Sequence, residues 1–338
     1  MMASRAAVRG VPAGPCPAAR DEGTGLPERR VSGGGGLWAI TAYFNPAGFR
    51  RRLANYRLFR KHLAVPLVAV ELAYGPDFEL SSEDADILIR LRGRDVMWQK
   101  ERLLNIAIES LPSSCTTVAW LDCDLIFADE GWAERTRAAL ERFALVQPFT
   151  CVHRMPQAWR PGDQVAGADP LSSIRHLLSA GMSVDECVHM DGEAARCARG
   201  MAWAARRGLL ERYRLFDQGV LGGGDALFFR AAFGYLDEAE RRLCMRGRWA
   251  ESYRSWAAPF HDAVRGSVGD IPGDVFHLWH GEITARRYGE RFRDFEAFGF
   301  DPAVDIAYDR CGAWRWASDK PEMHDFARRY FDSRREDG

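Results

Sequence analysis

The stretch Val118-Ala119-Trp120-Leu121-Asp122-Cys123-Asp124-Leu125-Ile126-Phe127 sets two carboxylates two positions apart at the end of an apolar run. Residues 118 to 121 read as a buried strand, and the end of such a strand is where an open α/β sheet presents its ligand-binding edge. Alternation along a strand puts residues i and i+2 on one side. Asp122 and Asp124 are therefore expected to reach one divalent cation and the phosphates it carries, with Cys123 turned into the sheet's other face. The competing reading is a chance Asp-x-Asp that caps a strand or turn; the strand-end setting favours the metal.

Outward from this stretch the chain alternates strands with helices. Leu37 to Phe44 is a strand-like run closed by the turn-former Asn45-Pro46, and Phe49, Leu53, Tyr56, Phe59 and Leu63 recur at helical spacing over 49–62. A strand over 67–72, a short strand near 87–91 and a helix over 97–110, broken by Leu111-Pro112, lead to the Asp pair. A helix over 131–143 and a strand over 144–149 follow. This order predicts an α/β fold with a mostly parallel sheet flanked by helices on both faces. Residues 153–190, with Pro156, Pro161, Gly162, Gly167 and Pro170, read as a long loop with a short helix that covers the substrate.

The chain has 338 residues, 47% of them hydrophobic, so it can bury a substantial core. Its 46 Lys and Arg against 47 Asp and Glu leave a formal net charge of -1, which points to neither nucleic acid nor an anionic membrane. Its 8 cysteines form no C-x-x-C pair and fit reduced thiols in a cytoplasmic protein. No run approaches transmembrane length. Residues 1–36 are rich in Gly, Pro, Ala and Arg, lack a signal-like apolar segment and are expected to be a disordered tail. The expected organisation is that tail, one domain over 37–310 and an extension over 311–338. Residues 283–331, with Arg286, Arg287, Arg291 and Arg293 among aromatics, read as a helix packed on the sheet. Acids at Glu282, Glu290, Asp294 and Glu296 interrupt the arginines and favour a solvated face over peripheral membrane contact.

Three more segments carry chemistry. Leu221-Gly222-Gly223-Gly224-Asp225 permits a tight bend with close ligand approach, and an acid opening the next helix is placed to accept a proton from a hydroxyl. A turn plus an N-cap explains the same residues equally well. Asp217 reads as a turn residue. Val275-Phe276-His277-Leu278-Trp279-His280-Gly281 places two imidazoles at a strand end, where ligand and core roles are balanced. On the helix before the Asp pair, Gln99 and Arg102 share a face and Lys100 offers a phosphate charge; a solvated amphipathic face is the plain alternative.

Taken in this order, a first strand ending in a polar turn, Asp-x-Asp, Gly-Gly-x-Asp and a late His beside Trp resemble the GT-A glycosyltransferases, particularly galactosyltransferase-like and chondroitin-polymerase-like inverting enzymes. The resemblance runs over about residues 37–305 and includes Gly200-Met201-Ala202-Trp203-Ala204. It implies a GT-A (Rossmann-like) fold in which Asp124 binds the metal together with His280 or, less favoured, His277. It places Asp122, Tyr43 and Asn45 at the nucleotide donor, where the helix-face reading adds Gln99 and Lys100, and Trp203, Gly223 and Gly224 at the acceptor. Asp225 is then the acceptor-binding acid and catalytic base. In the galactosyltransferases two acids follow the Gly pair and the second is the base, whereas Ala226 stands there in this chain.

The activity so implied is metal-dependent transfer of a sugar from a nucleotide-sugar to an acceptor hydroxyl with inversion. The metal is Mn2+ or Mg2+, and the acceptor an unspecified glycan, lipid-linked or small molecule. A metal-dependent nucleotidyltransferase or phosphohydrolase would need a phosphate loop that residues 41–49 do not supply. A non-catalytic carbohydrate-binding protein fits the 11 tryptophans, which an ordinary aromatic core fits as well.

Overall fold

The computed structural model describes residues 36–161, 163, 170–190 and 196–338. Apart from Gly36, the expected N-terminal tail lies outside these residues, as do parts of the expected covering loop. In chain order the elements begin with β1 (Leu37–Phe44), α1 (Arg50–Lys61), β2 (Leu67–Ala73), β3 (Ile87–Arg92) and α2 (Lys100–Glu109). Next come β4 (Thr117–Leu121), β5 (Leu125–Phe127), α3 (Trp132–Ala139), β6 (Leu145–Gln147), β7 (Cys151–Arg154), β8 (Leu171–Ser172), α4 (Ile174–Ser179) and α5 (Val184–His189). After these follow β9 (Ala202–Arg206), α6 (Arg207–Tyr213), α7 (Gly224–Phe233), α8 (Leu236–Arg242), α9 (Gly247–Val264), β10 (Val268–Asp270) and β11 (Asp274–His277). The chain closes with α10 (Glu290–Glu296), α11 (Pro302–Asp305), β12 (Ile306–Tyr308), β13 (Trp314–Trp316) and α12 (Pro321–Asp332).

The main sheet has strand order β10-β6-β9-β4-β1-β2-β3. β1 pairs in parallel with β2 and β4, and β2 with β3, while β9 runs antiparallel between β4 and β6. Central strands of a parallel sheet are covered on both faces and read as near-continuous apolar runs. Every residue of β2 is buried, including the carboxylate-bearing Glu71.

Alternation divides β1 between two cores. Ile40, Ala42 and Phe44 face one that includes Leu103, Leu104, Ala107 and Ile108 of α2. Ala39 and Tyr43 face the other, with Tyr56 and Phe59 of α1 and Trp132 of α3. Full burial of a ring such as Phe59 contributes roughly 1.5–3 kcal/mol.

The strand read over 118–121 is β4, which ends at Leu121, while β5 belongs to a second sheet of order β5-β11-β7-β8. Four expectations need correction. The helix expected over 131–143 spans only α3, and the strand expected over 144–149 spans only β6. Residues 153–190, read as a long loop with one short helix, contain two short helices, α4 and α5, and the strand β8. Residues 283–331 are not one helix: the left-handed Arg287 and Gly289, the latter at φ +85°, and then Pro302 interrupt the chain, which folds as α10, α11, the β12–β13 hairpin and α12. Residues 311–338 are packed into the body, with Phe331 against Phe44 and Trp98.

Candidate active site

The break after β4 decides the site. The carboxylates leave the main sheet at a turn, and the next residues, 125–127, pair antiparallel with β11, placing His277 opposite Leu125. Leu278 N–H then donates to the Asp124 carbonyl at 2.9 Å. A late strand is thereby laid against the Asp pair, and both imidazoles arrive beside Asp124. His277 Nε2 lies 3.5 Å from Asp124 Oδ1 and His280 Nε2 lies 3.6 Å from Oδ2. The two Nε2 atoms are 2.9 Å apart.

Ligand atoms of Asp124, His277 and His280 all lie within 4.8 Å of one another. One carboxylate and two imidazoles suit a divalent transition metal. Asp124 Oδ1 is buried without a hydrogen-bond partner, an orphaned acceptor that a cation would satisfy. Burial opposes the Asp124 charge, but His280 and His277 outweigh it and hold its carboxyl far below the usual range. Burial, helped by the Arg286 guanidinium against the pull of Asp124, holds the His280 imidazole well below its ordinary value and so favours the neutral ring. Arg286 also fixes this ring, with Nη2 2.6 Å from Nδ1 and 2.9 Å from the His280 carbonyl.

Asp122 does not join this group. Its Oδ1 is 2.5 Å from Lys100 Nζ, and the same ammonium lies 3.0 Å from each oxygen of Asp225. Strand alternation does not place Asp122 and Asp124, because β4 ends at Leu121 before either carboxylate. The Lys100 bridge joins Asp122 to Asp225 at the start of α7. Burial opposes the Lys100 charge, yet Asp122 and Asp225 together hold its pKa well above the usual value. Burial raises the Asp122 carboxyl despite Lys100, with Asp225 and Asp124 adding to the shift.

Asp225 is positioned by glycines on both sides. Gly222 and Gly223 take φ of +83° and +92°, which turns the chain sharply into α7. A Cβ on Gly224 would stand 2.0 Å from Glu101 Oε1, and one on Gly200 would stand 2.8 Å from Asp225 Oδ2. Gly200 therefore lets the chain ahead of β9 pass directly over the acid. Lys100, Glu101, Gly224, Asp225, Trp120 and Phe228 line one narrow cavity. Glu101 accepts from Trp98 Nε1 at 3.0 Å, and burial pushes its carboxyl up to about 8.

Other expected residues sit elsewhere. Trp203 is 1% exposed, donates its indole N–H to the Arg199 carbonyl and packs on Phe228, so it is a core residue rather than a sugar platform. Gln99 is also 1% exposed, and both ends of its amide are committed to the Trp314 backbone at 2.7 and 3.0 Å. Gly223 and Gly224 serve backbone geometry, Gly223 packing on Leu243 and Phe292. Tyr43 is buried and donates to Glu79, which also receives Asn45 Nδ2 at 3.0 Å. Glu71 organises this turn by accepting the Glu79 amide at 2.5 Å. Asp217, read as a turn residue, is held by Asn105 at 3.1 Å and Arg102 at 3.6 Å.

Glu79, Glu101, Arg52 and Glu336 were not singled out from the sequence. Their roles depend on pairings such as Arg52–Glu336, 284 positions apart, for which the sequence carries no local signal.

No family model matches this sequence, and no curated protein does. Several solved structures share a fold-level likeness. Glucosyl-3-phosphoglycerate synthase from Mycobacterium tuberculosis, solved with Mn2+, uridine diphosphate and phosphoglyceric acid, is 13% identical with a TM-score of 0.40, over 84% of this chain and 87% of that one. S. aureus TarS 1-349 is 13% identical with a TM-score of 0.34, over 59% of this chain and 55% of that one. The 4-diphosphocytidyl-2C-methyl-D-erythritol synthase from Anaerococcus prevotii is 13% identical with a TM-score of 0.31, over 71% of this chain and 90% of that one. This chain thus spans about half the length of the TarS fragment it matches. At these identities and scores, the activities of those proteins do not transfer to it.

Proposed function

We propose that this chain is a metal-dependent GT-A glycosyltransferase that moves a sugar from a nucleotide-sugar to an acceptor hydroxyl with inversion. The observation that carries the reading is the convergence of Asp124, His277 and His280 beside an acid pair bridged by one ammonium. Mn2+ or Mg2+ bound by these three residues would supply Lewis-acid stabilisation of the departing nucleoside diphosphate. The two imidazoles favour manganese.

The chain's own residues do the rest. Arg286 keeps the His280 ring oriented. Lys100 adds positive charge between the donor side, at Asp122, and the acceptor side, at Asp225. As an acceptor hydroxyl enters, Asp225 exchanges its contact with Lys100 for the hydroxyl and takes its proton while oxygen attacks the anomeric carbon in line. With Ala226 in the following position, Asp225 alone is assigned this proton. Whether the acceptor is a glycan, a lipid-linked sugar or a small molecule is a question of substrate rather than of this geometry. No helix among the described residues is long and apolar enough to cross a membrane.

A panel of nucleotide-sugars assayed for nucleotide release, with and without Mn2+, tests the reading. Metal-dependent release that needs an acceptor supports it. Binding of free glycan without metal or nucleotide would instead indicate a carbohydrate-binding protein, and release of diphosphate from a nucleoside triphosphate would indicate a nucleotidyltransferase.

A further inference from the structure

Beside the metal-binding residues lies an ion cluster that the transfer chemistry does not use. Glu336 is fully buried, and its carboxylate receives Arg52 Nη1 at 3.0 and 3.2 Å and Arg334 Nε at 2.7 Å. The segment carrying it lies against the metal loop: a Cβ on Gly281, next to His280, would meet the Arg334 and Arg335 carbonyls at 2.9 Å. The same Cβ would meet the Glu336 Cα at 3.2 Å, so this buried carboxylate belongs to the segment packed directly on the loop that carries His280.

The cradle offers more than a carboxylate uses. Arg52 Nε is buried without a partner, a donor left over by a ligand with only two oxygens. Arg334 stays anchored by its guanidinium over Trp98 at 5.2 Å. Arg335 takes φ +45°, rare for a side-chain-bearing residue, so the chain bends sharply between Arg334 and Glu336. Asp337 then accepts from the Arg51 amide at 2.8 Å and from the Arg50 amide at 3.2 Å, so the segment end is tied to the first turn of α1 by its partly buried carboxylate.

We infer that Arg52 and Arg334 form an anion subsite for the diphosphate of the nucleotide, and that Glu336 is its resident stand-in, leaving with residues 335–338 when the nucleotide enters. The inference rests on the metal-dependent reading above. It requires buried guanidiniums to exchange one anion for another rather than stand unpaired.

Inorganic diphosphate with Mn2+ is the probe, titrated calorimetrically into the full chain. Glu336→Gln should bind it about tenfold more tightly, as expected when a closed state that excludes the ligand is removed. Arg52→Gln should bind it at least about tenfold more weakly, having lost a charge-assisted contact. Hydrogen exchange on the unmodified protein gives a readout that does not depend on a variant folding: protection of 335–338 should fall on adding Mn2+ and diphosphate. Unchanged or increased protection at saturation, or Glu336→Gln binding no more tightly than the parent, would overturn the inference while leaving the transferase reading intact. Absence of diphosphate binding to the parent with Mn2+ would overturn both.

Discussion

The Lys100 ammonium stands 3.0 Å from both oxygens of Asp225, so the acid assigned to take the acceptor proton is held by a cation before any substrate arrives. Lys100→Met removes the charge and leaves the carboxylates of Asp122 and Asp225 facing each other. Because Asp225 is partly exposed, the expected cost is discounted to about 1–3 kcal/mol, measured by urea unfolding. Unchanged stability would show that the bridge is slack.

Asp225→Asn keeps the shape of the site and removes its proton acceptor. Nucleotide-sugar affinity should stay at the parent value while turnover falls by about 10²–10⁴-fold. A variant with parental turnover would remove Asp225 from the base role and make the neighbouring Ala226 departure uninformative.

Gly224→Ala tests close packing rather than chemistry. Its new methyl would collide with Glu101 Oε1, 2.0 Å away, and push α7 from α2. Overpacking of this kind costs about 1–3 kcal/mol, and turnover should fall with it because Asp225 is the adjacent residue. A thermal melt at the parental temperature would contradict this account.

Glu101 gives stability a pH dependence. Burial raises its carboxyl from 4.5 to about 8, so the folded protein keeps a proton that the unfolded chain has released. Its contribution is therefore fully present below about 4.5 and is lost as pH rises toward 8, with a slope of up to about 1.4 kcal/mol per pH unit. Glu101→Gln should flatten the difference in unfolding free energy between these limits. An unaltered profile would mean that Glu101 titrates normally.

The parallel core was legible because β1, β2 and α2 announce themselves by local pattern, and because Asp124 and the two histidines are residue types that chemistry makes conspicuous. What was not legible depended on pairing. Asp122 and Asp124 look equivalent until the chain changes sheets between them, which separates an ammonium partner from a metal group. Trp203 resembles a sugar platform until β9 inserts antiparallel between β4 and β6 and buries it. Gln99 resembles a nucleotide contact until β13, far along the chain, takes both ends of its amide. Glu336 had no local signal, since its partner Arg52 lies 284 positions away.

Mn2+ binding, followed by electron paramagnetic resonance on the parent protein and on Asp124→Ala, tests the central claim most directly. The orphaned oxygen and two imidazoles predict that the parent immobilises the ion and that Asp124→Ala, still folded, loses it. Equal binding by both proteins, or no binding by the parent, would contradict the account.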